Sequence, residues 1–89
     1  MTKYRIWYSD SFQKRSKRFK QKHPEMVKQY EKSLRILEVN PYHPSLRLHK
    51  LKGKLKNFYS VSINLQYRLL IHFIIKDDLI IPVDVGTQL

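Results

Sequence analysis

Three strand-like runs fill the last third of the chain and constrain its fold more than any other feature. They cover Phe58–Ile63, Tyr67–Ile74 and Leu79–Val85, and each is rich in β-branched or aromatic residues. Turn-forming residues separate the runs at Asn64–Gln66 and Lys76–Asp78. The sequence therefore predicts three consecutive strands that form an antiparallel meander.

A strand and a first helix are predicted at the start of the chain. Residues 3–8 alternate in a β-rich composition and indicate a strand. Ser9, Asp10 or Ser11 can then cap a helix that runs to about Gln21. This helix is strongly basic and has only two large apolar side chains on its inner face.

A second helix follows, and Pro24 suits its first turn. Its apolar positions recur at spacings of three and four residues and form one stripe: Val27, Tyr30, Leu34 and Leu37. Asn40-Pro41 ends the helix. The predicted order is β-α-α-β-β-β, an α+β domain in which an N-terminal strand and helical hairpin pack on an antiparallel sheet.

Length, charge and cysteine content limit the possible functions. With 89 residues, we expect a single domain spanning residues 1–89. The net charge is +11, and residues 1–56 carry 16 of the 18 Lys and Arg residues. Such an excess favours a polyanionic partner, which can be nucleic acid, an anionic membrane or an acidic protein. The chain has no cysteine, so a disulfide framework and a thiolate zinc site are excluded.

The apolar segments predict a cytosolic protein. The start of the chain does not resemble a signal peptide, because charged residues interrupt its apolar run. The longest apolar run, Leu69–Ile75, contains His72 and is too short to span a bilayer. Acidic residues are scattered, so we expect neither a metal ion nor another cofactor.

The densest positive charge lies in the segment HKLKGKLKNFY, residues 49–59. Four lysines occupy alternate positions there: Lys50, Lys52, Lys54 and Lys56. In an extended strand they would share one face, although Gly53 interrupts the register and indicates a tight turn. The lysines can protect a sheet edge from aggregation. The alternative, a phosphate-binding patch, is favoured because the whole front half of the chain is basic. A membrane-binding surface is less favoured.

The order of elements and three segments resemble the RelE/ParE superfamily of bacterial toxins, the toxic halves of type II toxin–antitoxin pairs. The segments are NPYHPSLRLHKLKGKLKNFYSVSI at 40–63, QYRLLIHF at 66–73 and VDVGT at 83–87. The resemblance covers nearly the whole chain. It implies a RelE-like fold and a cognate antitoxin, expected to be acidic and to wrap the toxin.

The resemblance implies one of two activities. RelE-, YoeB- and YafQ-like members are endoribonucleases that cut mRNA on the ribosome, whereas ParE-like members inhibit DNA gyrase and are not nucleases. The HKLKG stretch at 49–53 and the YRLLI strand at 67–71 resemble the nuclease members more closely and favour the nuclease, with mRNA on the ribosome as the substrate and gyrase as the alternative target. Cleavage of RNA through its 2′-hydroxyl requires a base, an acid and cations that stabilise charge on phosphorus.

Arg68 and His49 are the principal catalytic candidates. Arg68 matches an arginine with which the nuclease members contact the scissile phosphate, and a guanidinium can engage two phosphate oxygens at once. The alternative for Arg68 is an ion pair with an acid such as Asp84. His49 is the best acid/base candidate because an imidazole titrates near neutral pH. The alternative for His49 is a surface or RNA-contacting role.

Further residues complete the predicted site. Lys52 and Lys54 can act as cations, or one of them as a base. Gln88 occupies the position of a terminal histidine in YafQ-like members, and it can donate and accept hydrogen bonds but cannot exchange a proton near pH 7. The remaining predicted RNA contacts are Arg47, Lys50, Lys56, Tyr59 and Tyr67.

Part of the acid/base set of YafQ-like members is replaced in this chain. Besides the substitution at Gln88, a second histidine is replaced near Ser62 and an aspartate near Gln66. Three explanations follow from the residues: a weakened or truncated nuclease, a nuclease that relies on Arg68 and lysines electrostatically, or a toxin that is not a nuclease.

Overall fold

The computed structural model describes residues 4–87, which form two helices and a five-stranded sheet. The elements in chain order are β1 (Arg5–Ile6), α1 (Asp10–Lys22), α2 (Val27–Val39), β2 (His49–Lys50), β3 (Tyr59–Ser62), β4 (Arg68–Ile74) and β5 (Leu79–Gly86). The strands lie in the order β1-β5-β4-β3-β2, with β1 parallel to β5 and the other pairs antiparallel. The predicted α+β class and the meander are confirmed.

The helices begin and end close to the predicted positions. The Ser9 hydroxyl accepts a hydrogen bond from the Phe12 backbone N–H at 3.1 Å, which satisfies a donor of the first turn of α1. His23 ends α1. Pro24 opens a short 3-10 turn over residues 24–26 rather than α2 itself, so α2 begins three residues later than predicted, at Val27.

The core lies between the helices and one face of the sheet. The buried sheet residues on this face include Val61, Leu69, Ile71, Phe73 and Ile80, and the helices contribute Phe12, Phe19, Tyr30 and Leu37. Because side chains alternate along a strand, the neighbouring positions of β3 and β4 point to the opposite face. We call that face, opposite the core, the open face of the sheet, and it carries the candidate site.

Two strands differ from the prediction. A strand was expected at 3–8; Lys3 lies outside the described residues, and within 4–8 only Arg5 and Ile6 form β1, which pairs with β5 through Arg5 and Leu79. This pairing brings together residues that are far apart in the chain, and no pattern among neighbouring residues predicts it. β2 is an additional strand, and it pairs with β3 through His49 and Ser60.

The lysine segment is not one extended ladder. Only His49 and Lys50 are in a strand, and residues 53–55 form a 3-10 turn. Gly53 opens this turn with a φ of +68°, a conformation that L-residues with a side chain rarely adopt. The four lysines therefore do not share one strand face, whereas the tight turn that Gly53 indicates is confirmed.

Candidate functional site

The β3–β4 hairpin positions Arg68. Arg68 is opposite Ser62, and Leu70 is opposite Ser60, so the side chains of Arg68 and Ser60 lie diagonally on the same face. Arg68 Nε donates a hydrogen bond to Ser60 Oγ. Ser60 is fully buried (0% exposed), and it holds one side of the guanidinium while the terminal nitrogens extend towards solvent.

Strand β2 adds His49 and Arg47 to the same place. Arg68 Nη2 is 3.3 Å from His49 Nδ1 and 3.5 Å from the Arg47 carbonyl oxygen. His49 Nδ1 is also 3.3 Å from that carbonyl oxygen. Arg47 has a left-handed backbone (φ 48°) that ends the preceding 3-10 turn and leads the chain into β2. We call Arg47, His49, Ser60 and Arg68 the Arg68 cluster.

The Arg68 cluster carries positive charge without a neutralising acid. Burial lowers the pKa of the Arg68 guanidinium, and the charge of Arg47 lowers that pKa further. Because an arginine starts from a very high pKa, Arg68 remains a cation. Within residues 4–87, Arg68 has no ion pair; Asp84 Oδ1 instead accepts the Val85 backbone N–H at 2.8 Å. The alternative pairing of Arg68 with Asp84 is therefore absent.

His49 has two possible hydrogen-bonding states. Nδ1 can accept from Arg68, or it can carry a proton and donate to the Arg47 carbonyl, but a neutral imidazole cannot do both. In the second state the lone pair lies on Nε2. His49 is exposed, so that nitrogen is available to take a proton from a bound substrate.

The four lysines of residues 50–56 follow His49 in the chain. Lys50 follows His49 in β2 and therefore points to the opposite face of the sheet. Lys52, Lys54 and Lys56 lie in and around the Gly53 turn, and all are exposed. None of these lysines forms an ion pair in the part of the chain that the structure describes. Their predicted roles toward phosphate stay predictions.

The two predicted tyrosines do not join the cluster. The Tyr59 ring packs 5.7 Å from the Phe73 ring on the helix-facing side of the sheet. Tyr67 is 6% exposed, and its hydroxyl is 3.2 Å from His23 Nδ1. The Tyr67 ring therefore packs in the core away from the Arg68 cluster, and its predicted RNA contact stays a prediction. Gln88 lies outside the described residues.

The other histidines have structural surroundings. His23 ends α1, and His43 opens a turn in which its ring contacts Ser45. His72 is exposed on the open face of β4, with its ring 5.7 Å from that of Phe58.

Across residues 4–87, no three His, Cys, Asp or Glu side chains are grouped in a way that could hold a metal ion. No helix in this range has the length and apolarity needed to span a membrane.

Ser60 is the one residue of the Arg68 cluster that the sequence analysis did not predict. The predicted turn at Asn64–Gln66 is centred on Leu65. In an antiparallel hairpin, residues at equal distances from this centre are opposite each other, which places Ser62 opposite Arg68 and Ser60 opposite Leu70, as observed. The register of a hairpin is set by its turn, so this signal was present in the sequence.

Comparison with known proteins then identifies the family. Residues 3–85 match the family model of HigB-like toxins, described as the RelE-like toxin of the type II toxin–antitoxin system HigB. The chain belongs to this family of toxins. Toxins of the RelE, YoeB and YafQ class, to which this RelE-like family is related, are ribosome-dependent mRNA endoribonucleases. This toxin has a cognate antitoxin as its partner.

Solved structures of toxins share the fold. The YoeB–YefM complex from Staphylococcus aureus has a TM-score of 0.72 and 25% identity, with 99% of this chain and 100% of that chain covered. YafQ from Escherichia coli has a TM-score of 0.69 and 24% identity, covering 96% of this chain and 93% of that chain. The toxin–antitoxin complex RelBE2 from Mycobacterium tuberculosis has a TM-score of 0.72 and 14% identity, covering 98% and 100%. No curated protein matches the sequence.

Proposed function

We propose that this toxin cleaves ribosome-bound mRNA at the Arg68 cluster. The observation that carries the proposal is the contact of 3.3 Å between Arg68 Nη2 and His49 Nδ1 on the open face of the sheet. A cation for phosphate and a group that can exchange a proton are thereby adjacent, as cleavage through the 2′-hydroxyl requires.

In the proposed reaction, the 2′-oxygen of one nucleotide attacks the adjacent phosphorus, and the bond from phosphorus to the 5′-oxygen breaks. The products are a 2′,3′-cyclic phosphate and a 5′-hydroxyl. Arg68 binds the non-bridging oxygens, on which negative charge accumulates in the transition state. Its bond to Ser60 fixes the guanidinium before the substrate arrives, so little reorganisation is needed.

His49 is the proposed base. With Nδ1–H donating to the Arg47 carbonyl, Nε2 takes the proton of the attacking 2′-hydroxyl. The departing 5′-oxygen takes its proton from water or from the ammonium group of Lys52 or Lys54. Either lysine also adds positive charge near the phosphate, and Gln88 contributes hydrogen bonds rather than a proton.

The flanking phosphates of the message bind the remaining cations of this region, Arg47, Lys50 and Lys56. In the inactive complex, an acidic antitoxin wraps the toxin and covers the same charges. Residues 1–89 act as one toxin domain in the cytoplasm, where ribosomes are available. This arrangement accounts for the concentration of positive charge in the first 56 residues.

Cell-free translation with added toxin, followed by primer extension on the message, tests the proposal. Cuts within ribosome-occupied codons, absent when ribosomes are omitted, support ribosome-dependent cleavage. An intact message with normal translation would reject it. Accumulation of gyrase-linked DNA breaks in a parallel assay would then assign the toxin to the ParE-like activity.

A further inference from the structure

A basic groove lies between α1 and the end of β5, on the face of the sheet opposite the Arg68 cluster. Its volume is about 420 Å³. The cations on its wall come from α1, at spacings of three and four residues that place them on one side of the helix: Arg15, Arg18 and Lys22. The opposite wall is residues 84–87, and we call this the α1–β5 groove.

Contacts between α1, β5 and the core frame the groove. Arg15 Nη1 donates to the Val83 carbonyl oxygen at 3.0 Å and ties α1 to β5. The floor is an aromatic cluster in which the Phe19 ring lies 5.0 Å from the His23 ring and 5.3 Å from the Tyr67 ring. Since Phe19 and Tyr67 are core residues, the groove does not depend on a loop for its shape.

The positive charge of the groove is largely uncompensated. In residues 4–87, none of Arg15, Arg18 and Lys22 forms an ion pair. Lys20, elsewhere on the same helix, is by contrast 3.8 Å from Glu31. Asp84 is the one acid that lines the groove, and Val85 N–H already donates to it. Three cations against one carboxylate leave a net attraction for anions.

The groove and the Arg68 cluster lie at the same end of the sheet. Gly86, a wall residue of the groove, is directly opposite Arg68 in the β4–β5 ladder. Paired residues of an antiparallel ladder are about 5 Å apart at their Cα atoms. A polyanion that leaves the Arg68 cluster can therefore pass around the end of β4 and β5 into the groove.

We propose that the α1–β5 groove binds the phosphate backbone of RNA beyond the cleaved nucleotides. It supplies affinity and not chemistry, because its histidine, His23, contacts the Tyr67 hydroxyl through Nδ1 and its carboxylate, Asp84, already accepts the Val85 N–H. The proposal rests on the proposed function, in which the toxin acts on RNA. The bound phosphates can belong to the message or to ribosomal RNA, and the chemistry of recognition is the same.

Binding measurements test the groove independently of cleavage. The probe is a single-stranded RNA oligonucleotide with 2′-O-methyl groups, which removes the attacking hydroxyl; its Kd is measured by fluorescence anisotropy at several salt concentrations. The test variant is Arg18→Gln with Lys22→Gln. Arg15 is left unchanged because it also binds Val83. The matched control, Lys28→Gln with Lys32→Gln, removes the same charge from exposed positions of α2.

We expect the groove variant to bind the oligonucleotide about tenfold more weakly than the control. The slope of log K against log salt should fall by about 1.4, the value for two lost phosphate contacts with a single strand. Loss of affinity for isolated small ribosomal subunits, with normal oligonucleotide binding, would support ribosomal RNA as the source of the phosphates. Circular dichroism checks that both variants are folded.

The proposal is overturned if the groove variant binds both probes as the control does. If only the affinity for the cognate antitoxin falls, the groove belongs to the antitoxin and the RNA assignment is wrong. Failure of the proposed function is a separate result: the wild-type toxin would then leave message intact, whatever the binding curves of the groove variant show.

Discussion

Arg68 Nη2 lies 3.3 Å from His49 Nδ1, although the two residues are 19 positions apart in the chain. Strand β3 brings them together, because Ser60 is opposite His49 in β2 and accepts the Arg68 Nε hydrogen bond from β4. The geometry of the site therefore depends on three adjacent strands and on one buried serine.

Ser60→Ala should reduce cleavage through loss of orientation. Without the hydroxyl, Arg68 keeps its charge but loses the contact that fixes Nε, so we expect kcat to fall about tenfold with little change in KM. Single-turnover cleavage of ribosome-bound message measures both quantities. Ser33→Ala is the matched control, since Ser33 is a buried serine of α2. Equal kcat values for the two variants would exclude a positioning role for Ser60.

His49→Gln should remove the proton acceptor while keeping a side chain that hydrogen bonds. We expect the cleavage rate to fall by about 10² to 10⁴. His72→Gln is the control, because His72 lies on the same face of the sheet, four residues beyond Arg68. A His49→Gln variant that cleaves at the wild-type rate would show that another group takes the proton.

Gly53→Ala should destabilise the turn that carries Lys52 and Lys54. A Cβ at this position would meet nothing within 4 Å, so the cost comes from the backbone φ of +68° and not from a clash. We expect the free energy of unfolding to fall by about 1 kcal/mol. Urea denaturation measures the change, with Lys54→Ala expected to stay within about 0.5 kcal/mol of wild type. Wild-type stability of Gly53→Ala would argue against the left-handed turn.

Tyr30 should make the fold sensitive to alkali. Burial raises its pKa from the ordinary value of 10.0 to about 12, and its hydroxyl is 2.8 Å from Ser16 Oγ. The unfolded chain ionises first as pH rises, so the stabilisation is complete below about pH 10 and is lost between about pH 10 and 12. The loss is on the order of 2 kcal/mol.

Comparison with Tyr30→Phe isolates this effect. The variant lacks the Ser16 hydrogen bond and should be about 1 kcal/mol less stable near neutral pH. Because it has no phenol to ionise, its free energy of unfolding should fall less between about pH 10 and 12. Urea denaturation measures this free energy for both proteins. If it falls by the same amount between about pH 10 and 12 in the wild type and in Tyr30→Phe, Tyr30 does not ionise on unfolding.

Patterns among neighbouring residues were sufficient to predict most of the fold. Ser9 caps α1, the stripe that includes Tyr30 and Leu37 packs in the core, and the turn at Asn64–Gln66 joins β3 to β4. Each feature depends on residues that are close in sequence. The β1–β5 pairing depends on tertiary contacts across the whole chain, and periodicity over a few residues does not reveal such a contact.

The site was only partly predictable for the same reason. Arg68, His49 and Arg47 are brought together as proposed, but the decisive contact with Ser60 requires the hairpin register. Tyr67 was expected to contact RNA, whereas its ring fills the core beside Phe19 and its hydroxyl faces His23. An aromatic residue next to a functional arginine in a strand points to the opposite face, and here that face is buried.

The rate of cleavage by Arg68→Ala tests the central claim most directly. The substrate is ribosome-bound message under single-turnover conditions, and Arg35→Ala controls for the loss of one exposed cation of α2. We predict a fall of about 10² to 10³ in rate for Arg68→Ala, with an unchanged circular dichroism spectrum and the wild-type rate for the control. Cleavage by Arg68→Ala at the wild-type rate would contradict the assignment of the Arg68 cluster as the active site.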